Sequence, residues 1–415
     1  MKNVRVIIGS AFGDEGKGIT TDYLSKNWAD LVVRFNSGAQ AGHTVKHKNI
    51  EHVFGHFGSG TLNDIATYLS EYFVVNPMLF VKEMNELHDK NIQPRVYVNE
   101  NCIVTTIFDM FVNQMIESWR SRDRHGSCGI GFNEAITRHL DTQFKLRVID
   151  LVNDVKGCMS TIDAIWEQYV LNRCVFLGIP ENIVREKMNE VSFDVMKMQM
   201  HSCIGIFLEN VKVVKDTILN KADNVVFEGA QGLLLDEFHE WFPHVTRSRT
   251  GIKNVNKILN GHSVETVQIN YITRAYTTRH GAGPFPREAD LPYSIVDSTN
   301  VPNEHQGILR FGYLDLELLE RSISNDLLNY DQDIITQVQL VVTCLDQISD
   351  IVFCYDEGGS MKEIPVDEFG QFMEDRFNMP ILLNDSAITP DQMSLICNNA
   401  PEIPSIQRIE RLILS

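Results

Sequence analysis

The sequence predicts an α/β fold: a mostly parallel central sheet with flanking helices, P-loop-like in its first turn, with a helix-rich insertion at about residues 151–220. Three observations predict it. Short apolar, β-branched runs alternate with longer stretches of 3.6-residue period, the pattern of strands buried on both faces by covering helices. The first of these runs leads through a glycine-rich loop into a helical pattern. Residues 151–220 carry helical sequence with few turn signals. The 415 residues read as a single enlarged α/β domain, 1–415, without a linker-like tract or an internal repeat.

The strand candidates in order are Val4–Ile8, Leu31–Phe35, Asn224–Phe227, Val267–Arg274 and Val338–Cys344. Each is rich in Val and Ile, which suit a pleated, buried surface. Between them, Ile107, Phe108, Phe111, Val112, Met115, Ile116 and Trp119 recur at i, i+3/i+4 and predict a helix with one core-facing stripe. Hydrophobic residues make up 43% and charged residues 22%, enough apolar material for a large core.

A formal charge of −18 excludes a general nucleic-acid surface, since phosphate backbones require a basic footprint. A small anionic ligand in a locally positive pocket stays compatible with it. The eight cysteines are scattered without a CxxC pair, which predicts reduced thiols and no zinc site. No apolar run reaches about 18 residues, so no membrane association is expected. Met1-Lys2-Asn3 leads directly into the first strand without a signal-peptide pattern, and the expected location is cytoplasmic, the host cytoplasm if the source is viral.

The loop Gly9-Ser10-Ala11-Phe12-Gly13-Asp14-Glu15-Gly16-Lys17-Gly18 follows the first strand and precedes a helix. Glycines there let backbone N–H groups converge on phosphate oxygens, and Lys17 adds charge. It departs from a Walker A loop, because Ala11 stands at the first glycine and Gly18 at the Ser/Thr that binds Mg²⁺. Another group must hold a metal there, and Asp14 is available.

Gly13-Asp14-Glu15-Gly16-Lys17-Gly18 after the first strand resembles a signature of the adenylosuccinate synthetase family. Three more family blocks follow in order: Val33-Arg34-Phe35-Asn36-Ser37-Gly38-Ala39-Gln40-Ala41-Gly42-His43-Thr44 in altered form, Phe227-Glu228-Gly229-Ala230-Gln231-Gly232, and Ala275-Tyr276-Thr277-Thr278-Arg279-His280-Gly281-Ala282-Gly283. Weaker echoes reach Pro390-Asp391, so the resemblance covers nearly the whole chain.

The resemblance implies a ligase that phosphorylates the C6 oxygen of a purine 5′-monophosphate with a nucleoside triphosphate and then installs L-aspartate at C6. Removal of the N1 proton calls for a carboxylate, and the phosphoryl group in flight calls for a protonated or cationic donor. By resemblance Asp14 is that base and a Mg²⁺ ligand together with the Gly42 carbonyl, and His43 serves the phosphoryl group. Gln231 and Gln40 address the purine O6 edge, and Thr246 and Ser127 the 5′-phosphate, with His280 also at the substrate. Gly13, Glu15, Gly16, Lys17, Gly18 and Thr44 hold the donor phosphates, and Asp346 and Thr389 the donor base. A homodimer is implied, with Arg138 the candidate for an arginine lent to the partner's phosphate site.

The chain also departs from the family. Thr-Thr-Gly-Arg-Gly-Ile-Gly becomes His125-Gly126-Ser127-Cys128-Gly129-Ile130-Gly131, and Thr-Thr-Gly-Arg-Arg-Arg-Arg becomes Glu304-His305-Gln306-Gly307-Ile308-Leu309-Arg310. One arginine of four survives, and Arg310 is the candidate for the L-aspartate carboxylates. Gly307 at the ribose-side arginine is compatible with a 2′-deoxy nucleotide. Thr343-Cys344-Leu345-Asp346 keeps the base-reading carboxylate and lacks the flanking lysine, which leaves ATP, dATP and GTP all open as donors. The pattern resembles the bacteriophage-type branch, whose members convert dGMP and L-aspartate into N6-succino-2-amino-2′-deoxyadenylate. IMP giving adenylosuccinate is the alternative, since Asp14 is present where much of that branch has a small residue. A catalytically inactive nucleotide-binding relative is a further alternative raised by the lost arginines and opposed by Asp14, Lys17, His43 and Gln231.

Overall fold

The computed structural model describes residues 1–47, 49–120, 127–296, 309–329, 335–384 and 393–395. Among them, ten strands share one sheet. Five lie early in the chain: β1 (Asn3–Gly9), β2 (Leu31–Arg34), β5 (Ala66–Leu69), β6 (Val96–Asn99) and β7 (Val211–Val214), with the hairpin β3 (His43–His47) and β4 (Ile50–Phe54) between β2 and β5. The rest are β8 (Asn224–Gly232), β9 (Thr266–Arg274), β13 (Ile335–Thr343), β16 (Ile381–Asn384) and β17 (Met393–Leu395). Between β9 and β13 come β10 (Thr277–Arg279), β11 (Arg310–Gly312) and β12 (Leu314–Asp315), and after β13 come β14 (Ile351–Asp356) and β15 (Ser360–Pro365), all outside the main sheet.

The main sheet has the order β17-β16-β13-β9-β1-β8-β2-β5-β6-β7. Every neighbouring pair is parallel except β16 with β17. The predicted strands coincide with β1, β2, β9 and β13 to within three residues at their ends, and β8 runs five residues beyond the predicted Asn224–Phe227. Each of these is buried on both faces, which is why it reads as a continuous apolar run. Alternation along β1 sorts the core: Val6 and Ile8 join one large cluster, and Ile7 packs on the other face with Leu24, Val32, Val226, Ile272 and Val341.

The predicted helix is α3 (Ile107–Arg120), following α1 (Lys17–Ser25) and α2 (Pro77–Asp89). Its stripe buries Phe108, Val112 and Ile116, whereas Trp119 in the last turn is 46% exposed. The helix-rich segment begins with α4 (Phe132–Asp141) and α5 (Val148–Asn153). It continues through α6 (Val155–Ala164), a π-helical turn at Ile165–Val170, α7 (Leu171–Phe176), α8 (Glu181–Glu190) and α9 (Phe193–Asn210). It ends ten residues before the expected boundary, because Val211–Val214 pairs with β6 as the last strand of the sheet. The sequence pattern passed over the four-residue strands β5, β6 and β7, though it found β2, which is equally short. No helix among the described residues is long and apolar enough to cross a membrane, and the seven described cysteines are all free.

Arg138, the candidate for an arginine lent to a partner's phosphate site, is fully buried in α4 and forked onto Asp109, with Nε to Oδ1 at 2.8 Å and an Nη to Oδ2 at 2.9 Å. The same guanidinium donates to the carbonyls of Val104 at 2.8 Å and Phe144 at 2.6 Å. Four of its donors are engaged inside its own chain, where it ties α3 to α4. Arg138→Leu strands the Asp109 carboxylate and is expected to lower the unfolding free energy by ~3–5 kcal/mol, the scale of an uncompensated buried charge. A urea midpoint unchanged from the parent would show that Asp109 is satisfied without it.

Candidate active site

In open parallel sheets, ligands gather beyond the carboxyl ends of the strands. Here the segments that leave β1, β2, β8, β9 and β13 meet at one edge. The loop from Gly9 to Gly16 turns through left-handed backbone at Gly13 (φ 89°), Asp14 (φ 56°) and Gly16 (φ 90°). Glycine is required at Gly9, because a Cβ there would lie 2.2 Å from Glu15 Oε2, 2.5 Å from the Gln231 carbonyl oxygen and 2.9 Å from Lys17 Nζ. The Ala11 N–H donates to Glu15 Oε1 at 2.6 Å, and the buried Arg274 guanidinium donates to the Asp14 carbonyl. The Thr343 hydroxyl donates to the Glu15 carbonyl at 2.9 Å, joining the end of β13 to the loop. α1 starts at Lys17 with Gly16 as an N-cap that has no capping side chain, which leaves its first amides to a ligand.

Glu15 and Lys17 are buried together, with Nζ 3.9 Å from Oε2. Burial raises the Glu15 carboxyl to about 7, against the pull of Lys17, and burial lowers the Lys17 ammonium against the pull of Glu15 and Asp14. An incoming polyanion therefore meets a cation whose desolvation is already part of the fold. Asp14 is the loop's outward carboxylate, about a third exposed, with Oδ2 3.4 Å from His280 Nε2. One carboxylate beside a glycine-rich turn with open amides is a donor set able to hold Mg²⁺, an ion that completes its shell with phosphates and water.

His43 begins β3 and packs on the first turn of α1, where a Cβ on Gly18 would fall 2.7 Å from that of His43. Its Nδ1 lies 2.7 Å from Glu228 Oε1, while its buried Nε2 has no hydrogen-bond partner among the described residues. Glu228, on β8 and fully buried, also accepts from the Ser59 N–H at 2.9 Å and from the Ser59 hydroxyl. Burial favours its neutral form, yet Arg34, His43 and Ser59 outweigh that and hold it below the usual carboxylate range. Burial lowers His43, with Glu228 opposing. The result is an imidazole oriented by a carboxylate, with one nitrogen left for a reacting group.

Gln231 follows in β8 at φ 57° and touches Gly13, whose Cβ would come within 3.2 Å of its Cα. Its Oε1 accepts from the Ser37 hydroxyl at 2.8 Å, and Ser37 Oγ accepts from Gln40 Nε2 at 2.5 Å. Thus Gly13, Asp14, Glu15, Gly16, Lys17, Gly18, His43, Gln40, Gln231 and His280 form one site. Gly42 and Thr44 flank His43 at the start of the β3–β4 hairpin.

The remaining candidates are more dispersed. The Thr246 N–H donates to the Leu235 carbonyl at 2.8 Å, just past the Gln231 block. Ser127 accepts from Asn113 of α3 at 2.8 Å. Asp346 is exposed in the turn after Thr343. Arg310 is forked onto Glu288, with Nε to Oε1 at 2.8 Å and an Nη to Oε2 at 2.5 Å, and donates to the Gly283 carbonyl at 3.0 Å. Thr389 and Gly307 lie outside the described residues. Sequence reasoning gave no role to Glu228, Ser59, Arg34, Arg274 or Ser37, since each acts through a neighbour hundreds of residues away or buried with it; only the presence of Glu228 inside a glycine-flanked block signalled it.

The family model described as adenylosuccinate synthetase matches residues 6–374. An adenylosuccinate synthetase of Thermoplasma volcanium is 31% identical over 375 residues, covering 87% of this chain and 80% of the relative. One of Borrelia turicatae is 27% identical over 84% of this chain and 78% of its own length. Among solved structures, fully ligated adenylosuccinate synthetase from Plasmodium falciparum superposes with a TM-score of 0.72 at 17% identity, covering 95% of this chain and all of the other. Cyanophage S-2L succinoaminodeoxyadenylate synthetase, bound to dGMP and dATP as an energy donor, gives 0.57 at 14% identity, covering 100% and 99%.

Because Glu228 raises the affinity of His43 for a proton, Glu228→Gln should move the His43 titration further below its already lowered position. Histidine NMR across a pH series reads this directly, and an upward or absent shift would show that Glu228 is not the ring's ionised partner.

Proposed function

The chain belongs to the adenylosuccinate synthetase family, and from that premise we propose that its acceptor is dGMP, which it joins to L-aspartate to give N6-succino-2-amino-2′-deoxyadenylate. The observation that carries this reading is the loss of arginines between Glu304 and Arg310. Gly307 takes the place of the ribose-side arginine, and the surviving Arg310 is neutralised by Glu288. A site that gives up a donor for the 2′-hydroxyl no longer penalises its absence, since discrimination of that kind comes from polar groups left unpaired. The cyanophage enzyme of similar fold, solved with dGMP and dATP, supports the reading.

In this scheme the γ-phosphoryl group moves to the purine O6, and the aspartate amine then displaces phosphate at C6. Asp14 takes the N1 proton. Lys17 and the amides at the start of α1 hold the donor phosphates, with Glu15 buried behind them. His43 Nε2, anchored through Nδ1 on Glu228, meets the phosphoryl group. The amide nitrogen of Gln231 donates to O6, its oxygen being engaged by Ser37. Asp14 and the Gly42 carbonyl would hold Mg²⁺, which supplies charge neutralisation across the donor phosphates. Arg310 binds an L-aspartate carboxylate by exchanging Glu288 for it.

A second reading, IMP to adenylosuccinate, is favoured by Asp14 itself and by the curated relatives, which are adenylosuccinate synthetases. Asp14 is also able to serve dGMP, by accepting from both N1–H and the 2-amino group, whose burial without acceptors would cost ~1–3 kcal/mol.

Product mass spectrometry with dGMP, GMP, dIMP and IMP, each with L-aspartate and ATP, dATP or GTP, separates the two. The expected outcome is kcat/KM for dGMP above that for IMP by ~10-fold or more, about 1.4 kcal/mol of preference; efficient IMP turnover with dGMP inert would overturn it. With either acceptor, Asp14→Ala and His43→Ala are each expected to lower kcat by at least ~10²-fold, the scale of an acid–base group. Near-parental turnover in His43→Ala would remove that residue from the transfer step.

A further inference from the structure

Ser37 is fully buried and adopts φ 66°, a left-handed backbone that a residue with a side chain takes only where its surroundings impose it. Its surroundings are explicit. Its N–H donates to Ser248 Oγ at 3.0 Å, and its carbonyl accepts from the Val74 N–H at 2.8 Å, so the backbone is held from both sides. The hydroxyl sits between two amides. Gln40 Nε2 donates to it at 2.5 Å, and it lies 2.8 Å from Gln231 Oε1.

A hydroxyl has one proton to give. Gln40 supplies a donor to Ser37 Oγ and the hydroxyl proton goes to Gln231, whose carbonyl oxygen is turned toward Ser37. The NH₂ end of Gln231 is left for a ligand. A 6-oxopurine presents an acceptor at O6, and that oxygen gains negative charge as N1 loses its proton, so only the NH₂ end strengthens its contact as the reaction proceeds. We propose that Ser37 is a positioning residue for the purine: it fixes the rotamer and the end of the Gln231 amide that meets O6. The inference rests on the reading that Gln231 contacts the purine. Position 37 then keeps a side chain in left-handed backbone because its hydroxyl is needed, whereas glycine would relieve the backbone and lose the relay.

The test is a double-mutant cycle in the full-length protein, run with whichever 6-oxopurine mononucleotide it turns over best. Ser37→Gly and Ser37→Ala are each expected to reduce kcat/KM for the purine by about 10-fold, the order of one lost hydrogen bond. KM for L-aspartate and for the triphosphate should stay within about twofold, since the reading assigns Gln231 to the purine alone. Ser37→Gly should melt no lower than the parent, because it removes left-handed strain. In a Gln231→Ala background, Ser37→Gly should have no further effect, since its action passes through that amide. An unchanged kcat/KM in Ser37→Gly, or losses that add in the double variant, would overturn the proposal. If Gln231→Ala alone were neutral, the purine-contact reading would fail, and this inference with it. A costly Gln231→Ala with additive losses would remove Ser37 alone.

Discussion

Between Ile7 and Gly9 the first strand advances two residues while its neighbour β8 advances four, from Glu228 to Gly232. That bulge lets one short stretch of β8 serve two sides. Glu228 stays in the sheet and points to His43 and Ser59, and Gln231 is thrown out at the strand end against Gly13. The geometry is possible only without side chains at the crossing points. A Cβ on Gly229 would come within 2.7 Å of the Ile7 carbonyl, one on Gly232 within 2.3 Å of the Ala11 carbonyl, and one on Gly9 into the Glu15 carboxylate. Bulges re-aim side chains next to reactive sites, and this one sets the glycine-rich loop and the Gln231 amide against each other.

Burial of charge follows from the same crowding. A chain of formal charge −18 presents no positive surface on average, yet Lys17, Arg34 and Arg274 are all buried close to the strand ends. Their partners are carboxylates taken out of water with them, Glu15 beside Lys17 and Glu228 within the field of Arg34. Buried pairs of this kind contribute little net stability, because desolvation offsets attraction. Their consequence is orientation: groups that would otherwise reorganise around an arriving phosphate are already fixed.

The same logic explains which parts of the site could be read from sequence. Gly13 to Gly18, His43 and Gln231 were legible because contiguous glycine-rich blocks constrain the backbone locally, and local constraint leaves a local signature. Glu228 was visible only as a letter inside such a block. The surroundings of Arg138 were not legible, because a guanidinium in an amphipathic helix looks the same whether it faces water or a buried carboxylate 29 residues away; Asp109 decides between them. Arg310 stood out by sequence position, whereas its pairing with Glu288 depends on the bridge that brings Glu288 alongside Gly312 at the end of β11.

The amino-acid sequence determined the parallel sheet through its continuous apolar runs, and the phosphate loop through its glycines, since both are properties of segments a few residues long. It did not determine strand order, the bulge in β8, or the short strands β5, β6 and β7, whose four residues acquire their conformation from hydrogen bonds to neighbours. Ser37 shows the division most clearly. Nothing in residues 33–44 marks it for left-handed backbone, and its role depends on Ser248, Gln231 and Val74 arriving from elsewhere in the chain. A hydrogen bond between residues 194 or 211 positions apart exists only once the segments that carry them are brought together, and that meeting is a property of the folded chain.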